Sequence, residues 1–453
     1  MNQQEMIRAI ARRVQACGGR ALLVGGCVRD ALLGRESADI DCEVHGVSPD
    51  ALRSLLGEFG EIDESGRAYG IYTIRGAGID IALPRTETRT GPGHKDFAVK
   101  VDPELSPAQA ALRRDFTVNA IMRDALTGEF VDPLGGMEDL AQGVLRAVPG
   151  DGFEEDPLRV LRGAQFAARF HLTPDEETLQ KMRRMPLGRL SASRVYAEMN
   201  KALLTAQEPD VFFRVLRDAD TLKPWFAELA ALIGVQQNPL HHPEGDAFEH
   251  TLLTLRAAAE VKDKSSNPLH FMLAALTHDL GKAVSAAQDE HGSWHAADHA
   301  ETGVPLCGAM LTRLGAPGAA IRYAQDMCRL HMRVHVGYYT QADEAWMNLL
   351  FDESVCAKDL AWLAVCDTRG TGKPRENADR EEAFVMDRLA AYERVVSGPM
   401  PDARMLMAAS VSPGPGMKAA LADARRRVLC GEAPQKACAQ AAGACRETDD
   451  QIL

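Results

Sequence analysis

Apolar and polar residues alternate in short runs broken by Gly, Asp and Pro through residues 1–148, then recur at helical spacing through most of the remaining chain. The pattern predicts an α/β head followed by all-helical segments, with divisions expected at 1–148, 149–222, 223–370 and 371–453. Within the head, Ala21-Leu22-Leu23-Val24 reads as a short buried strand, Gly25-Gly26 as a tight turn and Cys27–Leu33 as a helix start. Free N–H groups at such a start favour an anion over the turn. If Asp39-Ile40-Asp41-Cys42-Glu43-Val44 is extended, Asp39 and Asp41 project from one face while Ile40, Cys42 and Val44 turn to the core. Gly78-Ile79-Asp80-Ile81-Ala82 is a second candidate strand, and Asp80 a candidate third carboxylate. Residues 85–96, with a Gly91-Pro92-Gly93 centre and polar flanks, read as a mobile loop. In Arg113-Arg114-Asp115-Phe116-Thr117-Val118-Asn119-Ala120-Ile121, two arginines precede Phe116, Val118 and Ile121, which anchor the segment in the core. Asp156 ahead of Pro157 marks a helix start, Leu158, Leu161, Phe166 and Phe170 supply its buried side, and Asp156, Arg159 and Arg162 share one face.

At 453 residues the chain exceeds one ordinary core, and roughly two to four domains are expected. Its 46% hydrophobic and 25% charged content is that of a soluble globular protein. No apolar run approaches the about 18 residues of a membrane span, and Met1-Asn2-Gln3-Gln4-Glu5 lacks a secretory pattern, so a cytoplasmic location without a membrane partner is the expectation. The ten cysteines include no C-x-x-C pair, which favours reduced thiols over disulfides or structural zinc. A net charge of −13 argues against indiscriminate polyanion binding, so any nucleic-acid partner must be held by a local basic surface. Arg425-Arg426-Arg427 on a C-terminal helix is one candidate, with a solvated helix face as the default reading. Cys430, Cys438 and Cys445 suggest no chemistry, and the oligomeric state is left open.

A glycine turn followed closely by two same-facing carboxylates suits a nucleoside triphosphate held with a pair of Mg²⁺ ions, the arrangement of in-line nucleotidyl transfer. Arg113 and Arg114 would add guanidinium forks for the phosphates.

The ordered motifs Gly25-Gly26-Cys27-Val28-Arg29-Asp30, Asp39-Ile40-Asp41, Arg113 to Ala120, Asp132-Pro133-x-x-Gly136 and Glu155-Asp156-x-x-Arg159-x-x-Arg162 resemble those of the bacterial-type (class II) tRNA nucleotidyltransferases and their poly(A) polymerase relatives. Leu190 to Glu198 is similar to the helical motif that follows in that family. The resemblance implies a polymerase-β-like nucleotidyltransferase head, a helical neck that reads the incoming base, and helical body and tail regions that hold the tRNA acceptor arm. It assigns Asp39 and Asp41 to catalysis and Mg²⁺, Gly26, Arg29 and Arg114 to the triphosphate, and Asp156 and Arg159, with Arg162 nearby, to the base. Cytosine and adenine both set an exocyclic amine beside a ring-nitrogen acceptor, which a carboxylate plus a guanidinium can match, whereas guanine and uracil place a carbonyl there. The implied reaction is attack of a tRNA 3′-hydroxyl on the α-phosphate of CTP or ATP with release of pyrophosphate. A full-length loop at 85–96 implies complete CCA addition. An A-adding or CC-adding specialist and a poly(A) polymerase are the alternatives.

A second centre lies downstream, where ten of the thirteen histidines fall between His241 and His335. His250, the pair His278-Asp279 and the distant Asp367 resemble the signature of HD-domain phosphohydrolases, and the resemblance makes them the core metal set. His299 and His331 are candidate extra ligands or phosphate contacts; His241, His242, His270, His291, His295 and His335 are expected as caps, surface or supporting groups. Imidazole with carboxylate suits Ni²⁺, Mn²⁺ or Co²⁺ better than structural zinc. An HD domain behind the transferase resembles the gammaproteobacterial arrangement, which implies phosphodiesterase and phosphatase activity. A chain that is chiefly a metal phosphohydrolase with an RNA-binding head is the remaining alternative.

Overall fold

The computed structural model describes residues 2–37, 39–89 and 97–450. They form two compact units: Met1–Ala202 with Val211–Pro224, and Leu203–Asp210 with Trp225–Leu453.

The first unit begins with α1 (Gln3–Ala16), β1 (Arg20–Val24), α2 (Gly26–Leu32) and β2 (Ile40–His45), followed by α3 (Pro49–Leu56), β3 (Ile62–Asp63), β4 (Ile71–Ile74) and β5 (Ile79–Ala82). After β6 (Arg85–Arg89), β7 (Phe97–Val101) and α4 (Pro107–Ala111) come β8 (Met122–Asp124), β9 (Phe130–Val131) and α5 (Gly136–Gln142). Among the described residues a sheet of seven strands runs in the order β3-β4-β5-β2-β1-β8-β9. β2 is antiparallel to β1 but parallel to β5, a register that sets Asp41 directly beside Asp80. The apolar side of β2, with Ile40, Cys42 and Val44, packs against Ile7, Ile10 and Val14 of α1 and Leu52, Leu55 and Leu56 of α3. That burial leaves the Asp41 side of the strand to face chemistry.

Residues 85–96 are not all loop. Arg85–Arg89 pairs with Phe97–Val101 as an antiparallel ribbon, because alternating β-branched residues give both segments a strand preference. The Gly91-Pro92-Gly93 centre lies outside the described residues. Next come β10 (Val144–Leu145), α6 (Leu158–Phe170), β11 (Thr173–Pro174), α7 (Glu176–Arg183), α8 (Ala192–Thr205), α9 (Asp210–Asp218) and α10 (Lys223–Ala230). Phe116 joins the head to α6 through edge-to-face contacts with Phe153 and Phe166 at 5.5 and 5.9 Å. Leu158 is only half-buried, and Val160 takes a core place beside Leu161, Phe166 and Phe170.

The second unit is built on α11 (Ala247–Val261), α12 (Pro268–Thr277), α13 (Lys282–Ser285), α14 (His299–Arg313), α15 (Gly318–Tyr339), α16 (Glu344–Glu353), α17 (Ala357–Gly370) and α18 (Arg375–Ser397). It is mostly rather than wholly helical: β12 (Ala286–Gln288) and β13 (Trp294–Ala296) make a hairpin whose turn is closed by Asp289 Oδ1 accepting from His291 and Ser293 N–H. The tail helices α19 (Ala403–Ala408), α20 (Pro415–Leu429) and α21 (Pro434–Asp450) enclose a small core that includes Leu406, Val428 and Cys438. The basic run on α20 is engaged within the chain. Arg425 pairs with Asp352, and Arg427 with Asp423 and Gln440. Among the described residues no helix is long and apolar enough to cross a membrane.

Candidate functional site

The strand pattern places Asp41 on the open side of β2, while Asp39 stands exposed in the bend just before it. Thr73 Oγ1 donates to Asp80 Oδ1 over 2.6 Å and so aims that carboxylate. Asp41 reaches solvent, yet partial burial still raises its pKa; the Asp80 charge adds to the rise, Arg114 opposes it, and Asp39 adds again. Asp41 and Asp80 are neighbours across the sheet and Asp39 adds its charge from the bend, a set of hard oxygen donors whose repulsion a divalent cation would relieve.

Gly25 closes the turn with φ +73, and a Cβ on it would lie 3.3 Å from Arg114 Nη1 and 3.5 Å from Asp41 Oδ2. The turn, the guanidinium and the carboxylate therefore meet at one point, with Gly26 next to it as the first residue of α2. Arg114 makes no side-chain hydrogen bond among the described residues, and its ion pair is a long 3.9 Å contact with Glu43.

Other arginines expected at this site are engaged elsewhere. Buried Arg29 donates to Asp30 over 2.6 Å and to Asn119 Oδ1 over 2.5 Å, and stacks 4.0 Å from the Phe170 ring centroid. Arg159 directs its Nη groups to the carbonyls of Arg113, Arg114 and Gly152. Arg162 Nε donates to Asp115 Oδ2 over 2.7 Å, and Asp115 Oδ1 accepts from Asn119. Asp156 accepts from Leu158 N–H at the start of α6 over 3.0 Å and from Arg194 Nη2 over 2.7 Å. Asp156 stands before α6 in extended backbone, so the helical face expected to carry all three residues holds only Arg159 and Arg162, and each of the three is engaged separately.

In the second unit, α11, α12, α14, α15 and α17 bring the expected histidines and aspartates together. His250 Nε2 lies 2.8 Å from Asp367 Oδ1 and 3.4 Å from Asp279 Oδ2, and His278 Nε2 lies 3.3 Å from the same Asp279 oxygen. The other oxygen of Asp279 faces His299 Nε2 at 3.2 Å and His331 Nε2 at 3.5 Å. His278, His299 and His331 each turn Nδ1 to the carbonyl three residues earlier, at 2.9, 2.8 and 2.6 Å. A carbonyl only accepts, so these contacts require Nδ1–H and leave the Nε2 lone pairs facing Asp279. All three Nε2 atoms are buried without a hydrogen-bond partner. Orphaned lone pairs around a carboxylate fit a metal centre: His250, His278 and Asp279 form one ligand group, and Asp279, His299 and His331 another.

The close approach depends on Gly281, where a Cβ would sit 2.0 Å from the His299 carbonyl oxygen. Two site residues escaped the sequence reading, and His335 takes the supporting place that was one of its expected roles. Glu244 accepts from His250 Nδ1 over 2.8 Å, Lys282 Nζ lies 2.6 Å from Asp279, and His335 bridges Asp367 at 2.9 Å and Glu381 at 2.6 Å. Helical spacing was the available signal for Lys282, which follows Asp279 by three residues, just as His335 follows His331 by four. Burial raises Glu244's carboxyl, but hydrogen bonds with His242 and His250 outweigh it and hold the pKa at about 2. The cluster opens into a cavity of about 1230 Å³ lined by Lys282, Trp294, His335, Tyr338, Tyr339 and Arg380, among others. His242 lies beside His250, whereas His241, His291 and His295 are exposed.

The Poly A polymerase head domain family matches residues 21–146, the probable RNA and SrmB-binding site of polymerase A matches 171–233, and the HD domain family matches 247–391. A multifunctional CCA protein of Stenotrophomonas maltophilia is 39% identical over 321 residues, which are 69% of this chain and 76% of that protein. The chain belongs to the multifunctional CCA protein family. Another member, from Alkalilimnicola ehrlichii, is 38% identical over 332 residues, 71% of this chain and 76% of its own. Solved CCA-adding enzymes share the fold. The Thermotoga maritima enzyme in complex with tRNA aligns over 97% of this chain and 95% of its own with TM-score 0.65 and 16% identity. A CCA-adding enzyme in complex with CTP aligns over 98% and 94% with TM-score 0.66 and 17% identity.

Proposed function

We propose that this chain builds the 3′ CCA end of tRNA from CTP and ATP in its first unit and hydrolyses phosphate esters in its second. The observation that carries the first activity is the convergence of Asp41, Asp80, the Gly25 turn and the uncommitted Arg114 guanidinium in a member of the multifunctional CCA family. Asp39 and Asp41 would hold Mg²⁺, with Asp80 beside them. Held there, such ions would supply a lowered pKa for the attacking 3′-hydroxyl and neutralisation of the charge on the departing pyrophosphate. Arg114 donates to the triphosphate, and Gly26 lets the backbone approach it. Arg29 acts from behind, fixing α2 against Asn119 and Phe170. Asp156 would accept from the amine common to C and A, Arg159 would donate to the ring nitrogen through the Nε–H and second Nη2–H that its backbone contacts leave unused, and Arg162 ties the reading helix to Asp115.

For the second activity, the orphaned Nε2 atoms of His278, His299 and His331 around Asp279 support one ion on His250, His278 and Asp279, with Asp367 beside His250 completing the set, and another on Asp279, His299 and His331. A transition metal such as Ni²⁺, Mn²⁺ or Co²⁺ suits this imidazole-rich set and would polarise a phosphate. Lys282 adds a fixed positive charge at the same wall of the cavity.

Incubation with tRNA lacking its 3′ end tests the first activity. CTP and ATP together are expected to give C-C-A. Addition of A alone or C-C alone with both nucleotides present would mark a specialist, and long A tails a poly(A) polymerase; each would overturn the proposal.

A further inference from the structure

We infer that Glu43 is a positioning residue for nucleotide binding, holding Arg114 at the glycine turn and away from Asp41. The inference rests on the reading that Arg114 meets the triphosphate. Glu43 lies two residues beyond Asp41 on β2 and so shares its side of the strand, but it is 1% exposed where Asp41 is open. Across β1 its partner is Leu22, a member of a buried cluster with Val24, Ala110, Ala111 and Met122. A carboxylate beside that cluster is costly, and an apolar side chain of similar size is often at least as stable in such a place. Fold stability alone therefore does not account for an acid here.

Its surroundings supply the account. Arg113 Nη2 donates to Glu43 Oε2 over 3.2 Å, Arg114 Nη2 lies 3.9 Å from the same oxygen, and His45 Nε2 lies 3.1 Å from Oε1. His45 is itself fixed by the Leu105 carbonyl at 2.8 Å. Glu43 is the acidic group paired with Arg114 among the described residues, and the 3.9 Å separation holds the guanidinium by charge without occupying its hydrogen-bond donors. Arg114 Nη1 and Asp41 Oδ2 both lie within 3.5 Å of the point a Gly25 Cβ would occupy. Without the counter-charge behind it, Arg114 is drawn forward onto Asp41. There its donors are lost to the triphosphate, and the carboxylate is lost to the cation. Glu43 thus keeps two opposite charges of the site apart until a polyanion and its metal arrive to take one each.

The test uses the full chain with Glu43→Gln and Glu43→Met, the latter chosen because an apolar replacement of a buried charge is expected to stay folded, as thermal unfolding will report. On tRNA lacking its 3′ end, the KM for CTP and for ATP is expected to rise about tenfold or more, the loss of one charge-assisted contact. kcat at saturating nucleotide is expected to stay within about threefold of wild type, because a saturating triphosphate draws Arg114 back. Inhibition by inorganic tripolyphosphate, which carries no base, should weaken by the same factor as nucleotide binding, and Glu43→Asp should restore part of it. Unchanged KM in either folded variant, or a fall in kcat with KM unchanged, would overturn the inference. A wild-type chain that adds neither C nor A would instead overturn the underlying function, so the two failures are distinguishable.

Discussion

At Gly25 one added methyl group would enter the space between Arg114 and Asp41, in a backbone conformation that L side chains avoid. Gly25→Ala is expected to cost about 1–3 kcal/mol in urea unfolding and to depress nucleotide addition beyond what that loss explains. Arg114 and Arg29 should separate by assay. Arg114→Ala is expected to raise KM for both nucleotides about tenfold or more with little change in melting temperature. Arg29→Ala, which removes an ion pair, the Asn119 contact and the Phe170 stack, should chiefly destabilise, by about 2–4 kcal/mol. Glu43 also carries a pH signature. Burial pushes its carboxyl up, but the His45 contact and the Arg114 and Arg113 charges outweigh it and hold the pKa at about 2, below the ordinary 4.5. A depressed carboxyl contributes stability that is fully present above 4.5 and is lost as pH falls toward 2. Wild type should therefore lose stability more steeply than Glu43→Gln between those values, as read by unfolding at a series of pH values.

Helices of the second unit act as rulers for the candidate metal-binding groups. α15 carries His331 and His335 one turn apart, so one face turns an imidazole to the Asp279 side and a buttress to the Asp367 side. α14 begins at His299, and only a glycine at 281 lets that end approach so closely. His331→Ala is expected to lower bound Mn²⁺ by about one ion per chain in equilibrium dialysis, without releasing the ion on His250, His278, Asp279 and Asp367. Loss of all bound metal from that variant would refute separate ligand groups sharing Asp279.

For the whole molecule, the two centres lie in different compact units and draw on different donor chemistry, carboxylates in one and imidazoles with carboxylates in the other. Asp41→Ala should reduce nucleotide addition by about a hundredfold or more while leaving metal-dependent phosphoester hydrolysis intact, and His278→Ala should do the reverse. Parallel assays of the two purified variants check this; joint loss of both activities in either one would contradict separable centres.

Local chemistry was readable from the chain where it depends on neighbours in sequence. Alternation placed Asp41 opposite the core face, the Gly-Gly pair marked the turn, and His278-Asp279 at the end of an apolar helix announced the second centre. The 331/335 spacing was equally visible, and so was the parity that puts Glu43 with Asp41. Partnerships across the fold were not. Asp80 could be named a candidate third carboxylate, but only the parallel register of β2 and β5 made it a neighbour of Asp41, and folding spent Arg29, Arg159 and Arg425 on internal acceptors that no local pattern names. Periodicity decides which side of an element a residue occupies, whereas a hydrogen bond or a metal needs atoms from several elements within about 3 Å, and only the packed chain sets those distances.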